Sequence, residues 1–170
     1  AAKGCFIDNE WQPVSTGRTV PVVAPAEGVV FAEIAASGPD DVARAIAAAR
    51  AAFEGGPWSQ LSATERGRLL SRLGQLILDH IDELAALEAR DCGKPMKTAR
   101  ADIQASARYF EYYGVAADKV HGEQIPFMNG YYVTGEREPL GVTGHIIPWN
   151  YPAQMIGRTL GPALAMGNAT

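Results

Sequence analysis

The chain holds 170 residues, enough for one domain with its own core, and its 47% hydrophobic and 20% charged residues are the balance expected of a soluble globular protein. Fifteen basic against nineteen acidic side chains leave a formal charge of −4, which gives no electrostatic case for nucleic acid or an anionic membrane as partner. Cys5 and Cys92 match no zinc spacing, a single disulfide between them staying open, and Arg158 interrupts the one apolar run near the C-terminus, so no membrane span is expected. The opening residues Ala1 to Asp8 turn polar too soon for a signal peptide, and a cytoplasmic location is expected.

Taken in chain order, Phe6-Ile7-Asp8-Asn9-Glu10-Trp11 reads as two short strands turning at Asp8-Asn9, residues that tolerate a turn backbone. β-Branched runs at 20–23 and 29–34, separated by Pro25 and Gly28, predict a second hairpin. The period then changes. Gly38-Pro39-Asp40-Asp41 supplies a cap, a first-turn proline and acids at the positive end of a helix dipole. Val42, Ala45, Ile46, Ala49 and Phe53 follow at helical spacing until Gly55-Gly56-Pro57 stops the helix.

A capping box, Ser62-Ala63-Thr64-Glu65, opens a helix whose apolar stripe is Leu69, Leu70, Leu73, Leu76 and Ile77. A further stripe, Ile81, Leu84, Ala85 and Leu87, runs to Gly93-Lys94-Pro95, where Lys94 is read as favouring the C-terminus of the helix before it. One long helix is expected over 96–119. After Gly122, alternation over 131–138 predicts a strand with Glu136, Arg137 and Glu138 on a solvated face. Residues 141–147 predict a buried strand ended by Pro148, in which His145 is a packed or edge histidine rather than an acid–base group. A helix over 152–166, closed by Gly167, leads to Asn168-Ala169-Thr170, the entry to another strand. Strand, helix and strand entry are the start of a βαβ unit that needs a further parallel strand, so the sequence is expected to be incomplete.

The informative stretch is the bend framed by Pro148 and Pro152. Loops at the carboxyl ends of strands in open α/β sheets are where ligands bind. An asparagine amide held there is a neutral donor suited to a carbonyl oxygen gaining negative charge. From the residues alone, Asn150 stays open between that role and a simple turn residue.

Ile147-Pro148-Trp149-Asn150-Tyr151-Pro152, followed by Leu160-Gly161-Pro162-Ala163-Leu164-Ala165-Met166-Gly167-Asn168, closely resembles a signature of the aldehyde dehydrogenase superfamily. The opening hairpin 6–11, the helix-ending Gly93-Lys94-Pro95, Tyr112-Tyr113 and Arg137-Glu138-Pro139-Leu140-Gly141 agree in order and spacing, so the resemblance covers essentially the whole chain. It implies an α/β fold in three parts: hairpins and helices of the cofactor-binding domain over 1–130, an oligomerisation-type β-ribbon over 131–140, and the first strand and helix of a Rossmann-like parallel sheet over 141–170.

The implied activity is oxidation of an aldehyde to a carboxylate with NAD or NADP. A cysteine attacks the aldehyde, the thiohemiacetal gives up hydride, and water hydrolyses the thioester with help from a glutamate base. Asn150 falls at the family's oxyanion-stabilising asparagine. Ile147, Pro148 and Trp149 fall where the chain passes along the cofactor; Tyr151 and Met155, with Arg158 nearby, line the substrate tunnel. A monovalent cation near Val23 and Asp102 is a further implication. Subunit assembly through the ribbon implies a homodimer or homotetramer.

The same resemblance places the cofactor lysine, the glycine-rich phosphate turn, the glutamate base and the nucleophilic cysteine beyond Thr170. Neither Cys92, at a helix end, nor Cys5 is expected to replace that cysteine, and the 170-residue chain alone is expected to be inactive. Two rival readings stand beside this one. The first is a non-catalytic truncated module of the same fold; the second is an acylating relative that passes its thioester to coenzyme A.

Overall fold

A computed structural model describes residues 4–170; Ala1, Ala2 and Lys3, which open the stretch read as too polar for a signal peptide, lie outside the described residues. Two antiparallel hairpins come first. Strands β1 (Cys5–Ile7) and β2 (Glu10–Gln12) join through Asp8 and Asn9, whose φ values of 53° and 60° are the left-handed pair that a two-residue hairpin turn requires. Phe6 pairs with Trp11 across the hairpin, ring centroids 5.2 Å apart. Strands β3 (Thr19–Ala24) and β4 (Val29–Ala35) form the second hairpin, with a register shift at Val22/Val23.

Helix α1 (Pro39–Gly55) begins where Gly38 and Pro39 place it. Asp41, buried, does more than face the helix dipole. Its carboxylate accepts from the Gly38 N–H at 2.8 Å, from the Ser15 N–H and hydroxyl at 2.9 and 2.8 Å, and from Arg44 at 2.6 Å. The backbone hydrogen bond from Gly38 outweighs burial and, with those from Ser15 and Arg44, holds this carboxyl well below the usual carboxylate range. One side chain thus caps α1 and ties it to the loop after β2. The face expected to pack is only partly used: Ala49 is buried, whereas Val42 and Ile46 are exposed.

After the one-turn helix α2 (Pro57–Gln60), α3 (Ala63–Asp79) starts at the expected box: the Ser62 hydroxyl accepts from the Glu65 N–H at 3.3 Å and Glu65 accepts from the Ser62 N–H at 2.8 Å. Its packed face differs from the expected stripe. Gly67, Leu70 and Gly74 are buried, while Leu69, Leu73 and Leu76 are exposed. The reason is the crossing with α5 (Met96–Ala116). A Cβ on Gly67 would collide with the Gly114 carbonyl and one on Gly74 would lie 2.9 Å from the Ala107 carbonyl, so the glycine face is the one that lets two backbones touch.

Helix α4 (Ile81–Cys92) ends on Gly93 with φ 67°; its Ala85 is buried and its Leu87 is exposed, contrary to the expected stripe. The long helix expected over 96–119 is α5 followed by a 3-10 turn, Ala117–Lys119. Buried Ala99, Ile103, Ala107 and Phe110 mark its inner face. Leu70, Phe110, Ala117 and Ala165 form one core cluster; Ala85, Ala99 and Ile103, with Ala153 against them, form the other.

Two expected strands shrink. The run 131–138 forms only β6 (Val133–Gly135), paired antiparallel with β5 (Glu123–Ile125); Glu136, Arg137 and Glu138 beyond it are exposed as expected, with Arg137 donating to the His121 carbonyl. The strand expected to be buried over 141–147 reduces to a single parallel bridge, Val142 with Ala169, closed by Thr143 N–H to Ala169 O and Ala169 N–H to Gly141 O, both 2.9 Å. Alternation creates a strand only where a neighbour completes the ladder, and residues 144–147 have none among the described residues. Ile146 is accordingly 100% exposed. Between the two bridge partners runs α6 (Pro152–Ala165), and Gly167 takes the left-handed backbone expected of it, φ 86°. The parallel bridge across α6 makes the architecture α/β.

Both cysteines are free thiols, so the open disulfide alternative is answered: Cys5 Sγ lies 2.8 Å from the Ser37 hydroxyl, and Cys92 reaches the bend described next.

Candidate active site

The bend between Pro148 and Pro152 sits at the carboxyl end of the Val142 segment and turns directly into α6. Its side chains are displayed, not packed. Trp149 is 86% exposed, Pro148 and Asn150 are exposed, and Ile147 is half-buried. The Asn150 carboxamide makes no hydrogen bond among the described residues, leaving its two N–H donors and its oxygen to solvent.

The backbone beneath that amide is held tightly. Cys92 Sγ donates to the Trp149 carbonyl at 3.4 Å, and Lys94 Nζ donates to the Asn150 carbonyl at 3.0 Å. Tyr151, at the entry to α6, lays its ring 4.6 Å from the Lys94 ammonium, and its carbonyl accepts the first helical hydrogen bond from Met155 at 2.9 Å. Tyr151, Met155 and Arg158 recur every three to four residues and so share one face of the helix entry. Tyr151 and Arg158 are exposed and Met155 is half-buried.

Lys94, read as favouring the C-terminus of α4, has its ammonium on two carboxylates. Only 11% of its side chain is exposed, and Nζ lies 2.8 Å from both Glu88 Oε1 and Asp102 Oδ2. Burial pulls the ammonium down, but its hydrogen bonds to Asp102 and Glu88 outweigh that, and its pKa is pushed up to about 12. Asp102, expected near a monovalent cation, has its carboxylate on this lysine. Val23 lies exposed on β3, and no group of three or more His, Cys, Asp or Glu gathers anywhere among the described residues.

Burial, then the neighbouring Glu88 charge, pushes the Cys92 thiol up. A raised thiol pKa and a hydrogen bond to a carbonyl both make a cysteine a weaker nucleophile. His145, half-buried, shares a 3.0 Å hydrogen bond with the Thr143 hydroxyl.

Sequence reasoning missed Glu88, Lys94 and Asp102 as a unit. The available signal was charge at inward positions of apolar stripes: Glu88 one turn from Ala85, and Asp102 beside Ile103.

The close seat of α6 on α5 fixes the height of the bend. A Cβ on Gly157 would lie 2.7 Å from the Ser106 carbonyl and 2.8 Å from its hydroxyl. Gly157→Ala is therefore expected to lift α6 and destabilise the protein by about 1–3 kcal/mol, read as a lower urea midpoint with unchanged slope. An unchanged midpoint would show that α5 and α6 separate freely.

A model of the aldehyde dehydrogenase family matches residues 11–170. Benzaldehyde dehydrogenase, mitochondrial, of Antirrhinum majus is 44% identical over 165 residues, covering 96% of this chain and 31% of its own. Aldehyde dehydrogenase, mitochondrial, of Equus caballus is 46% identical, covering 96% of this chain and 33% of its own. The NAD+ complex of an aldehyde dehydrogenase from Bacillus cereus superposes with a TM-score of 0.95 at 38% identity, covering 99% of this chain and 34% of that one. The chain thus spans about a third of the length of these relatives.

Proposed function

The chain belongs to the aldehyde dehydrogenase family, and on that premise we propose that it forms the N-terminal part of an enzyme oxidising an aldehyde to a carboxylate with NAD or NADP. The observation that carries the proposal is the unpartnered, exposed carboxamide of Asn150 on a backbone pinned from below by Lys94. When a nucleophile adds to an aldehyde, the carbonyl oxygen becomes an alkoxide. A neutral donor already fixed at that point lowers the barrier without having to reorganise.

Cys92, protonated and turned to a backbone carbonyl, does not supply the nucleophile. In this reading a cysteine outside these residues attacks and a glutamate outside them activates the hydrolytic water, one water being consumed and two protons released per turnover. The chemistry that a bound dinucleotide would supply is that of a hydride acceptor. Ile147, Pro148 and Trp149 offer it an apolar wall beside Asn150, and the exposure of Pro148 and Trp149 supports that assignment. The shared helical face of Tyr151, Met155 and Arg158 supports their lining the aldehyde's approach.

The division is into hairpins and helices of the cofactor-binding domain over 1–130, an assembly ribbon over 131–140 and the opening of a parallel sheet over 141–170. Exposed Tyr131, Tyr132 and Leu140 around the β5–β6 ribbon support subunit contact there, in a homodimer or homotetramer. No helix among the described residues is long and apolar enough to cross a membrane.

The test is an assay of the full-length protein with aliphatic and aromatic aldehydes and each dinucleotide. Aldehyde-dependent formation of reduced nicotinamide, with free carboxylate as product in the absence of coenzyme A, is expected. Failure with both dinucleotides across the panel would contradict the proposal.

A further inference from the structure

Lys94 stands 56 residues from Asn150 in sequence and directly beneath it in space. An ammonium has three N–H donors. Here all three are spent: on Asp102 at 2.8 Å, on Glu88 at 2.8 Å and on the Asn150 carbonyl at 3.0 Å. Glu88 completes the arrangement from its other oxygen, which accepts from the Ala153 N–H at 3.4 Å. That N–H belongs to the first turn of α6, whose N-cap residue, Tyr151, provides no side-chain cap. A carboxylate from α4 therefore caps α6 from outside, where the helix dipole favours negative charge.

We infer that Lys94, oriented by Glu88 and Asp102, is a positioning residue for Asn150: it locks the peptide plane that aims the carboxamide. The inference rests on the reading that this carboxamide meets the substrate oxygen. The geometry favours positioning over a merely cohesive role because the lysine's third donor goes to the carbonyl of Asn150 itself. A buried ammonium between two carboxylates was already paired without it. Fixing that carbonyl leaves the Cα–Cβ direction of Asn150 little freedom, and an error of about 1 Å at a reacting group costs on the order of 10²-fold in rate.

The experiment is a double-mutant cycle in the full-length enzyme. Lys94→Met is expected to lower kcat by roughly 10- to 100-fold with aldehyde KM little changed. Lys94→Met combined with Asn150→Ala is expected to be no slower than Asn150→Ala alone, because the lysine acts only through that amide. Since Lys94→Met strands two buried carboxylates, the triple variant Lys94→Met, Glu88→Gln, Asp102→Asn provides a charge-neutral version, and the same non-additivity is expected of it. A folded Lys94 variant with unchanged kcat, or losses that multiply with those of Asn150→Ala, would overturn the inference while leaving the oxyanion reading intact. Full turnover in Asn150→Ala alone would remove the oxyanion reading, and the inference with it.

Discussion

Asn150→Ala in the full-length enzyme is expected to lower kcat by roughly 10²–10³-fold, the loss typical of removing one oxyanion donor. The physical case is asymmetric in a useful way. The carboxamide is exposed and bonded to no described neighbour, so its removal opens no cavity and strands no buried partner. Its melting temperature should therefore stay close to that of the parent protein. The donor matters most once the aldehyde oxygen carries charge, so the loss should fall on kcat and kcat/KM together, with little change in KM. Asn150→Asp makes a sharper version, since a carboxylate at that point repels the developing alkoxide. Steady-state rates of nicotinamide reduction for the parent and both variants check the prediction; a folded alanine variant at parental kcat contradicts it.

Phe110→Ala is expected to have the largest effect on stability, about 3–5 kcal/mol, with little effect on turnover of the molecules that remain folded. Phe110 is buried on the inner face of α5, in the cluster with Leu70 of α3, Ala117 of the 3-10 turn and Ala165 at the far end of α6. Truncation to a methyl group leaves a cavity that three elements line and none can close alone. The bend rests on the other cluster, where Ile103 and Ala99 pack against Ala153 at the start of α6. The Phe110 cluster and the support of the bend thus lie towards different ends of the same helix. Urea unfolding, read as a midpoint shift at constant slope, measures the first effect, and kcat well below the unfolding transition measures the second. A midpoint within error of the parent would contradict this account of the core.

The features legible in sequence are those whose physics is complete within a few residues. Asp8-Asn9, Ser62 with Glu65, Gly93 and Gly167 each sit where local backbone chemistry places them. The strand expected over 141–147 shrank to one bridge because a strand needs a second segment to pair with, and only Ala169 pairs with it among the described residues. The exposed Leu69, Leu73 and Leu76 failed for a related reason. Hydrophobic period identifies a helix but not which face a glycine contact will select, and Gly67 and Gly74 chose α5's side.

At the site, the bend and Asn150 were visible as a strand-end loop, yet the residues alone left the asparagine between turn and donor, and the donor role proposed for it comes from family resemblance. The support beneath it was hidden because Glu88, Lys94, Asp102 and Asn150 come from four places in the chain. No local pattern announces a lysine whose three donors find partners that far apart.

The most direct measurement is a crystal structure of the full-length enzyme trapped with an aldehyde or a tetrahedral analogue. Asn150 Nδ2 is expected within about 2.7–3.2 Å of the substrate oxygen, with the Lys94 to Asn150 carbonyl hydrogen bond kept. A carboxamide rotated away from that oxygen, with another donor in its place, would contradict the account.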